Sequence, residues 1–156
     1  MGAQPVSHAR KTIRGAVVTL VTGLTTTGSR VWSSRVYPSG PDAIPGLIVR
    51  TMAEDIAPGG TLGKRVRRVL YLEIEGRVKP AEGESDHDDQ MDDICAEVET
   101  VVAADPILGG LAQSCALKST RMSHSGEMER PAGSVVMTWE IVYYTLADAP
   151  GTPLYV

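Results

Sequence analysis

The residues with the greatest chemical potential lie together. Glu82, Glu84, Asp86, His87, Asp88, Asp89, Asp92 and Asp93 stand within twelve consecutive positions. Hard divalent cations take several carboxylate oxygens, so such a run could serve a metal-dependent nuclease. A calcium loop would need alternating ligands, a Gly at the sixth place and a Glu at the twelfth. Counted from Asp86, the twelfth place is Glu97 but the sixth is Met91, and the residues that follow have helical spacing. Acids also gather at a helix start because the dipole and the unbonded amides favour negative charge there. The second account fits the pattern better, and no metal ligand set is assigned.

Other reactive residue types occur without the spacing that would make them work together. Ser and His adjoin at Ser7–His8 and at Ser123–His124–Ser125, and Asp86 precedes His87. None carries the Gly-x-Ser-x-Gly turn that exposes a nucleophile. Gly59-Gly60-Thr61-Leu62-Gly63-Lys64 resembles a phosphate loop only in part. Arg65 follows the Lys where Ser or Thr is required, and the next element is a strand, not a helix. Cys95 and Cys115 are too few for a disulfide framework or a zinc site, and read as small buried apolar residues in a reducing compartment. No catalytic residue and no cofactor is expected.

Two basic clusters remain. Lys64, Arg65, Arg67 and Arg68 open a predicted strand, where they discourage edge aggregation or meet an acidic neighbour or DNA phosphates. Arg10, Lys11 and Arg14 sit in the first two turns of a predicted helix, the wrong end for positive charge, and are candidates for a partner contact. The chain as a whole is polarised. Residues 1–78 carry eleven Lys/Arg and five Asp/Glu, a balance of +6; residues 79–156 carry four and fourteen, a balance of −10. Such asymmetry suits self-assembly or a charged partner. Few aromatics and a net charge of −4 argue against a base-stacking nucleic-acid module. No apolar run reaches the length of a membrane span and the start lacks the apolar core of a signal peptide, so no membrane association is expected.

The elements that must position these groups follow from periodicity. At 156 residues the chain has the length of one domain, placed at 1–146 with a C-terminal tail at 147–156, whose Leu154–Tyr155–Val156 end is expected to fray rather than dock on a neighbour. Ala9, Ile13, Val17, Leu20, Val21 and Leu24 predict a helix from Ser7, its N-cap, to Leu24. Strands are predicted over Arg30 to Tyr37, Gly46 to Met52 and Arg65 to Val78, with Ala53 to Gly63 as a flexible loop or hairpin tip. A second helix runs from Ser85 to Ala104, with Ser85 and Asp88 as a capping pair and Met91, Ile94, Cys95, Val98, Val101 and Val102 as its buried stripe. Strands over Cys115 to Ser123 and Ser134 to Leu146 flank a loop from His124 to Gly133. The order α-β-β-β-α-β-β predicts a two-layer α+β domain: one mainly antiparallel sheet of about five strands, with two amphipathic helices on one face. Val69, Tyr71, Val142 and Tyr144 fall on the opposite face, which is therefore expected to be partly covered by another subunit.

In this order the chain resembles the tail terminator family of long-tailed phages, also called minor tail protein U or tail completion proteins. The resemblance rests on the first helix ending in Leu24-Thr-Thr-Thr-Gly28, then Arg30-Val-Trp-Ser-Ser-Arg-Val-Tyr-Pro38 and Ile44-Pro-Gly-Leu-Ile-Val49. It continues through the alternating strand Arg68 to Glu75, an acid-led helix closing with Ala103-Ala-Asp-Pro-Ile-Leu-Gly-Gly-Leu111, and Met137-Thr-Trp-Glu-Ile-Val-Tyr-Tyr-Thr145. It covers Ser7 to about Leu146.

The resemblance implies a non-enzymatic virion protein at the head–tail junction, present in the host cytoplasm during assembly. Such proteins form a homohexameric ring on the tail tube protein, end tube polymerisation and offer a surface to the head–tail connector protein. DNA passes through the ring without sequence specificity. A strand-connecting loop is often mobile until the ring closes, and Ala53 to Gly63 is the matching segment. The alternatives are another neck or head-completion adaptor, or the nuclease on the acidic run 82–93. A ring needs two unlike patches. Arg65, Arg67 or Arg68 of one subunit is therefore expected to approach Asp88, Asp89 or Asp92 of the next.

Overall fold

The computed structural model describes residues 6–33, 43–60, 63–78, 87–125 and 132–155. Their order is α1 (Ala9–Val21), β1 (Val31–Trp32), β2 (Gly46–Pro58), β3 (Arg65–Val78), α2 (His87–Ala104), β4 (Ser114–Ser125) and β5 (Ala132–Leu146). This is the expected α+β order, with one five-stranded sheet arranged β1-β2-β3-β5-β4. The ladders β2–β3, β3–β5 and β5–β4 are antiparallel, whereas β1 pairs parallel to β2 through Val31–Leu47 and Trp32–Ile48.

Helical spacing sets the packed faces. Ala9, Ile13, Val17 and Val21 recur every fourth residue and are fully buried or nearly so. Met91, Ile94, Cys95, Val98 and Val102 do the same for α2. Both stripes lie on the sheet face formed by Leu70, Leu72 and Ile74 of β3 and Val135, Met137, Trp139, Ile141 and Tyr143 of β5. Gly76 lets α2 close on that face: a Cβ there would stand 3.1 Å from Ile94 Cγ2 and 3.2 Å from Val135 Cγ1. The core has no Phe; Trp139 and Tyr143 are its large aromatic side chains, and Ile, Leu and Met fill much of the rest.

Boundaries differ from expectation in informative ways. The cap of α1 is His8, not Ser7: its Nδ1 accepts the Arg10 amide at 3.1 Å. The helix ends at Val21, because Gly23 turns into the left-handed region at φ 89° and bonds to the Gly28 carbonyl. The first strand is far shorter than Arg30 to Tyr37; Val31–Trp32 pair and residues 34–42 lie outside the described residues. The Ser85 cap lies outside them as well.

The largest correction concerns Ala53 to Gly63. It is no loop as far as Pro58, because β2 stays paired to β3 up to Pro58–Val66. A bulge between Thr51 and Ala53 shifts the alternation by one residue, so Glu54 and Ile56 fall opposite Leu70 and Arg68 on the helix side. The Gly59 amide then donates to the Arg65 carbonyl at 2.8 Å. The loop expected over His124 to Gly133 shortens likewise, since β4 runs to Ser125 and β5 begins at Ala132.

The tail folds back on the domain. Ala147 N donates to Lys64 O, Ala9 N to Pro150 O and Leu154 N to Tyr144 O, while Pro153 is buried. The opposite sheet face is held by ion pairs. Arg50 reaches Glu73 at 3.1 Å and Glu75 at 3.5 Å, and Arg121 reaches Glu73 at 3.7 Å.

Candidate interaction surfaces

The first basic cluster is organised by a residue absent from the sequence-level candidates, Glu54. Its Oε1 accepts from Arg10 and from Arg68, each at 2.8 Å, and its Oε2 accepts the Tyr143 hydroxyl at 2.5 Å. Arg68 also donates to Thr145 Oγ1 at 3.0 Å. The Glu54 and Arg68 side chains are only 6% and 9% exposed, and buried charges persist when paired in this way. Burial pushes the Glu54 carboxyl upward; the bonds from Tyr143 and Arg68 and the Arg10 charge outweigh it and hold the group below its ordinary range. Burial, then the Arg10 charge, lowers His8, with Glu54 opposing. Burial and the Glu54 bond drive the Tyr143 phenol well above its ordinary value.

This geometry accounts for two of the three bases at the start of α1. Arg10 ties the helix to β2 through Glu54, and Arg14 does so through Thr51 Oγ1 at 3.2 Å while its Nε donates to Ser33. Lys11 is exposed beside them. The second cluster is divided. Arg68, expected at a subunit boundary, is turned inward onto Glu54. Arg65 is exposed and lies over the Tyr144 ring at 4.3 Å, and Arg67 is half-buried.

The acids stand at the other end of the molecule. Asp88, Asp89 and Asp92 are exposed in the first turns of α2. His124 pairs with Asp88 at 3.4 Å, and the ladder carries His124 through Gly133 to Val78 at the end of β3. Arg65 opens that strand thirteen residues earlier, which separates the two groups by about 40 Å within one chain.

The remaining candidates are accounted for separately. Among the described residues, no group of three or more His, Cys, Asp and Glu could hold a metal; Glu82, Glu84 and Asp86 lie outside them. His8 is spent as a helix cap, and Lys64 pairs with Asp148 at 3.0 Å. Both cysteines are free. Burial pushes the Cys95 thiol up to about 11, helped by Glu99 and Asp92, and the Cys115 thiol up to about 12. No helix among the described residues is long and apolar enough to cross a membrane.

Two concavities mark the surface. One lies along β2, between Arg10, Thr51, Glu54 and Leu70, with Met52 and Ile56 as exposed apolar lips. The other lies between the turn after α1 and the outer side of α2, lined by Leu24, Ala96, Glu97, Thr100, Val101 and Ala104. Glu97 fixes its wall by accepting from the Thr26 amide at 2.8 Å and from the Thr26 hydroxyl.

No family profile matches the chain, and no curated protein matches it. Among solved structures it is similar to a chain described as part of the virion of a native gene transfer agent particle. That similarity has a TM-score of 0.46 and 18% identity, over 86% of this chain and 92% of that one.

Proposed function

We propose that this chain is a structural virion protein of the tail-terminator kind. Six copies form a ring on the tail tube, end its polymerisation and present a surface to the head–tail connector, and DNA crosses the ring without sequence-specific contact. The observation that carries the reading is the placement of two unlike charged surfaces at opposite ends of one rigid sheet. The basic hairpin end carries Arg65 and Arg67; the acidic end carries Asp88, Asp89 and Asp92. Unlike patches on opposite sides of one subunit favour heterologous, head-to-tail contact, which closes into a ring when the rotation permits. The resemblance noted in the sequence supplies the tail as the setting.

Electron microscopy of tails assembled without the chain tests the role. Tubes of uncontrolled length support termination. Tubes of normal length that fail to join heads would point instead to a head-side adaptor.

A further inference from the structure

The geometry points to a second subunit contact, in which the exposed edge of β2 in one copy docks into the groove on α2 of a second copy. The inference rests on the ring reading above but uses different surfaces from the Arg65 and Asp88 groups. Among the described residues, β1 pairs β2 only at Leu47 and Ile48, so the stretch from Arg50 to Pro58 has β3 as its one ladder partner. That edge presents Met52 and Ile56, which are 51% and 61% exposed. Arg10 and Arg14 of α1 reach that edge, Arg10 paired with Glu54 and Arg14 bonded to the neutral Thr51 hydroxyl, and the exposed Lys11 stands on the same helix turn, so the rim stays basic after the Glu54 charge is matched.

The groove has the complementary character. Leu24, Ala96, Val101 and Ala104 give it an apolar floor. Glu97 stands in its wall, and Asp93 lies exposed one turn before Ala96 and Glu97. An apolar ridge with a basic rim therefore meets an apolar groove with an acidic rim. The two belong to different surfaces of one molecule, as a head-to-tail contact requires. The spacing also agrees with the charged ends. Arg65 lies about 10 Å beyond the level of Ile56 along the hairpin. Asp89 and Asp92 lie about 6–10 Å before Ala96 along α2. One alignment of hairpin on helix satisfies both.

Pairwise cysteine crosslinking tests the contact. Ile56→Cys protein is mixed with Ala96→Cys protein, the level of the groove that the spacing assigns to Ile56, under the conditions in which the unmodified chain assembles, oxidised, and run without reductant. A disulfide needs Cβ atoms within about 4.5 Å, so a crosslinked pair is expected in this mixture. None is expected for Ile56→Cys alone, which controls for the native thiols, or for Ile56→Cys with Ser114→Cys. Ile56→Asp changes an exposed side chain and is expected to keep the fold and lose assembly. Assembly without the mixed crosslink, or undiminished assembly of Ile56→Asp, overturns this contact and leaves the ring standing. Failure of the unmodified chain to assemble under any condition, tube ends included, overturns both.

Discussion

Tyr143 and Glu54 stand on strands that do not touch, since β3 runs between β2 and β5, yet the Tyr143 hydroxyl donates to Glu54 Oε2 at 2.5 Å. The bond crosses over β3 on the helix side, next to Arg68 of that strand. It fixes the far half of the β2–β3 hairpin, which carries the basic end, to the body of the domain.

Loss of the Glu54 carboxylate should therefore be costly. Glu54→Gln leaves the buried Arg68 guanidinium without its counter-charge, and breaking a buried pair from one side costs about 3–5 kcal/mol. Arg10 is more than a third exposed, so solvent screens its share and little is credited to it. For a domain of this size a loss of that order lowers Tm by roughly 6–20 °C. Tyr143→Phe removes one hydrogen bond to a charged group and should cost about 1.5–3 kcal/mol. Thermal unfolding monitored by circular dichroism measures both; an unchanged Tm in Glu54→Gln would remove the cluster from the account.

Acid should unfold the protein partly through the same groups. Glu54 titrates below its ordinary 4.5 and His8 below its ordinary 6.5. In the window between folded and unfolded values the unfolded chain binds more protons, so stability falls as pH falls. The His8 contribution is complete above about 6.5 and fades below it; that of Glu54 is complete above about 4.5 and is lost as pH drops through its depressed value. Glu54→Gln should flatten the dependence below pH 5 and leave the His8 part. A wild-type Tm that rises on acidification from pH 6 to pH 4 contradicts this.

The two thiols should be inert in the folded protein. With Cys95 and Cys115 pushed up to about 11 and about 12, almost no thiolate exists at pH 8, and the thiolate is the reactive form. An aromatic disulfide reagent should label neither residue in native buffer and both in denaturant. Rapid native labelling of either would contradict this.

Assembly should depend on charge at the hairpin end. Arg65→Glu with Arg67→Glu costs the Arg65–Tyr144 contact, worth about 0.5–1 kcal/mol at an exposed site, so the monomer stays folded. The ring should be lost, and mixing this variant with Asp88→Lys, Asp92→Lys protein should restore mixed contacts. Raising salt should weaken the wild-type ring, because exposed charges are screened beyond about 8 Å at physiological ionic strength. Sedimentation at two salt concentrations reads both effects, and salt-independent assembly of the Arg65 and Arg67 variant speaks against an electrostatic interface.

Much of the fold was legible because burial leaves a periodic trace. The stripe Ala9, Ile13, Val17, Val21 and the alternation of Leu70, Leu72, Ile74 and of Val135 to Tyr143 place the expected residues in the core. The β2 extension left no such trace, since one bulge at Met52 reverses the alternation and the segment that follows is polar. Glu54 was invisible for the same reason. In the linear pattern it is one acid in a loop, and only the shifted register sets it among Arg10, Arg68 and Tyr143. Arg68 looked exposed beside Arg65 and Arg67, but it shares the inward parity of Leu70. The bases of α1 stand at the wrong end of the helix dipole; Glu54 supplies the reason for Arg10, which no local rule contains.

Addition of the purified chain to growing tail tubes tests the central claim most directly. Tube length and tip structure are followed by electron microscopy. The account predicts that growth stops and that one ring of six copies sits at a single tip of each tube. Continued growth with tips bare of the chain would contradict it.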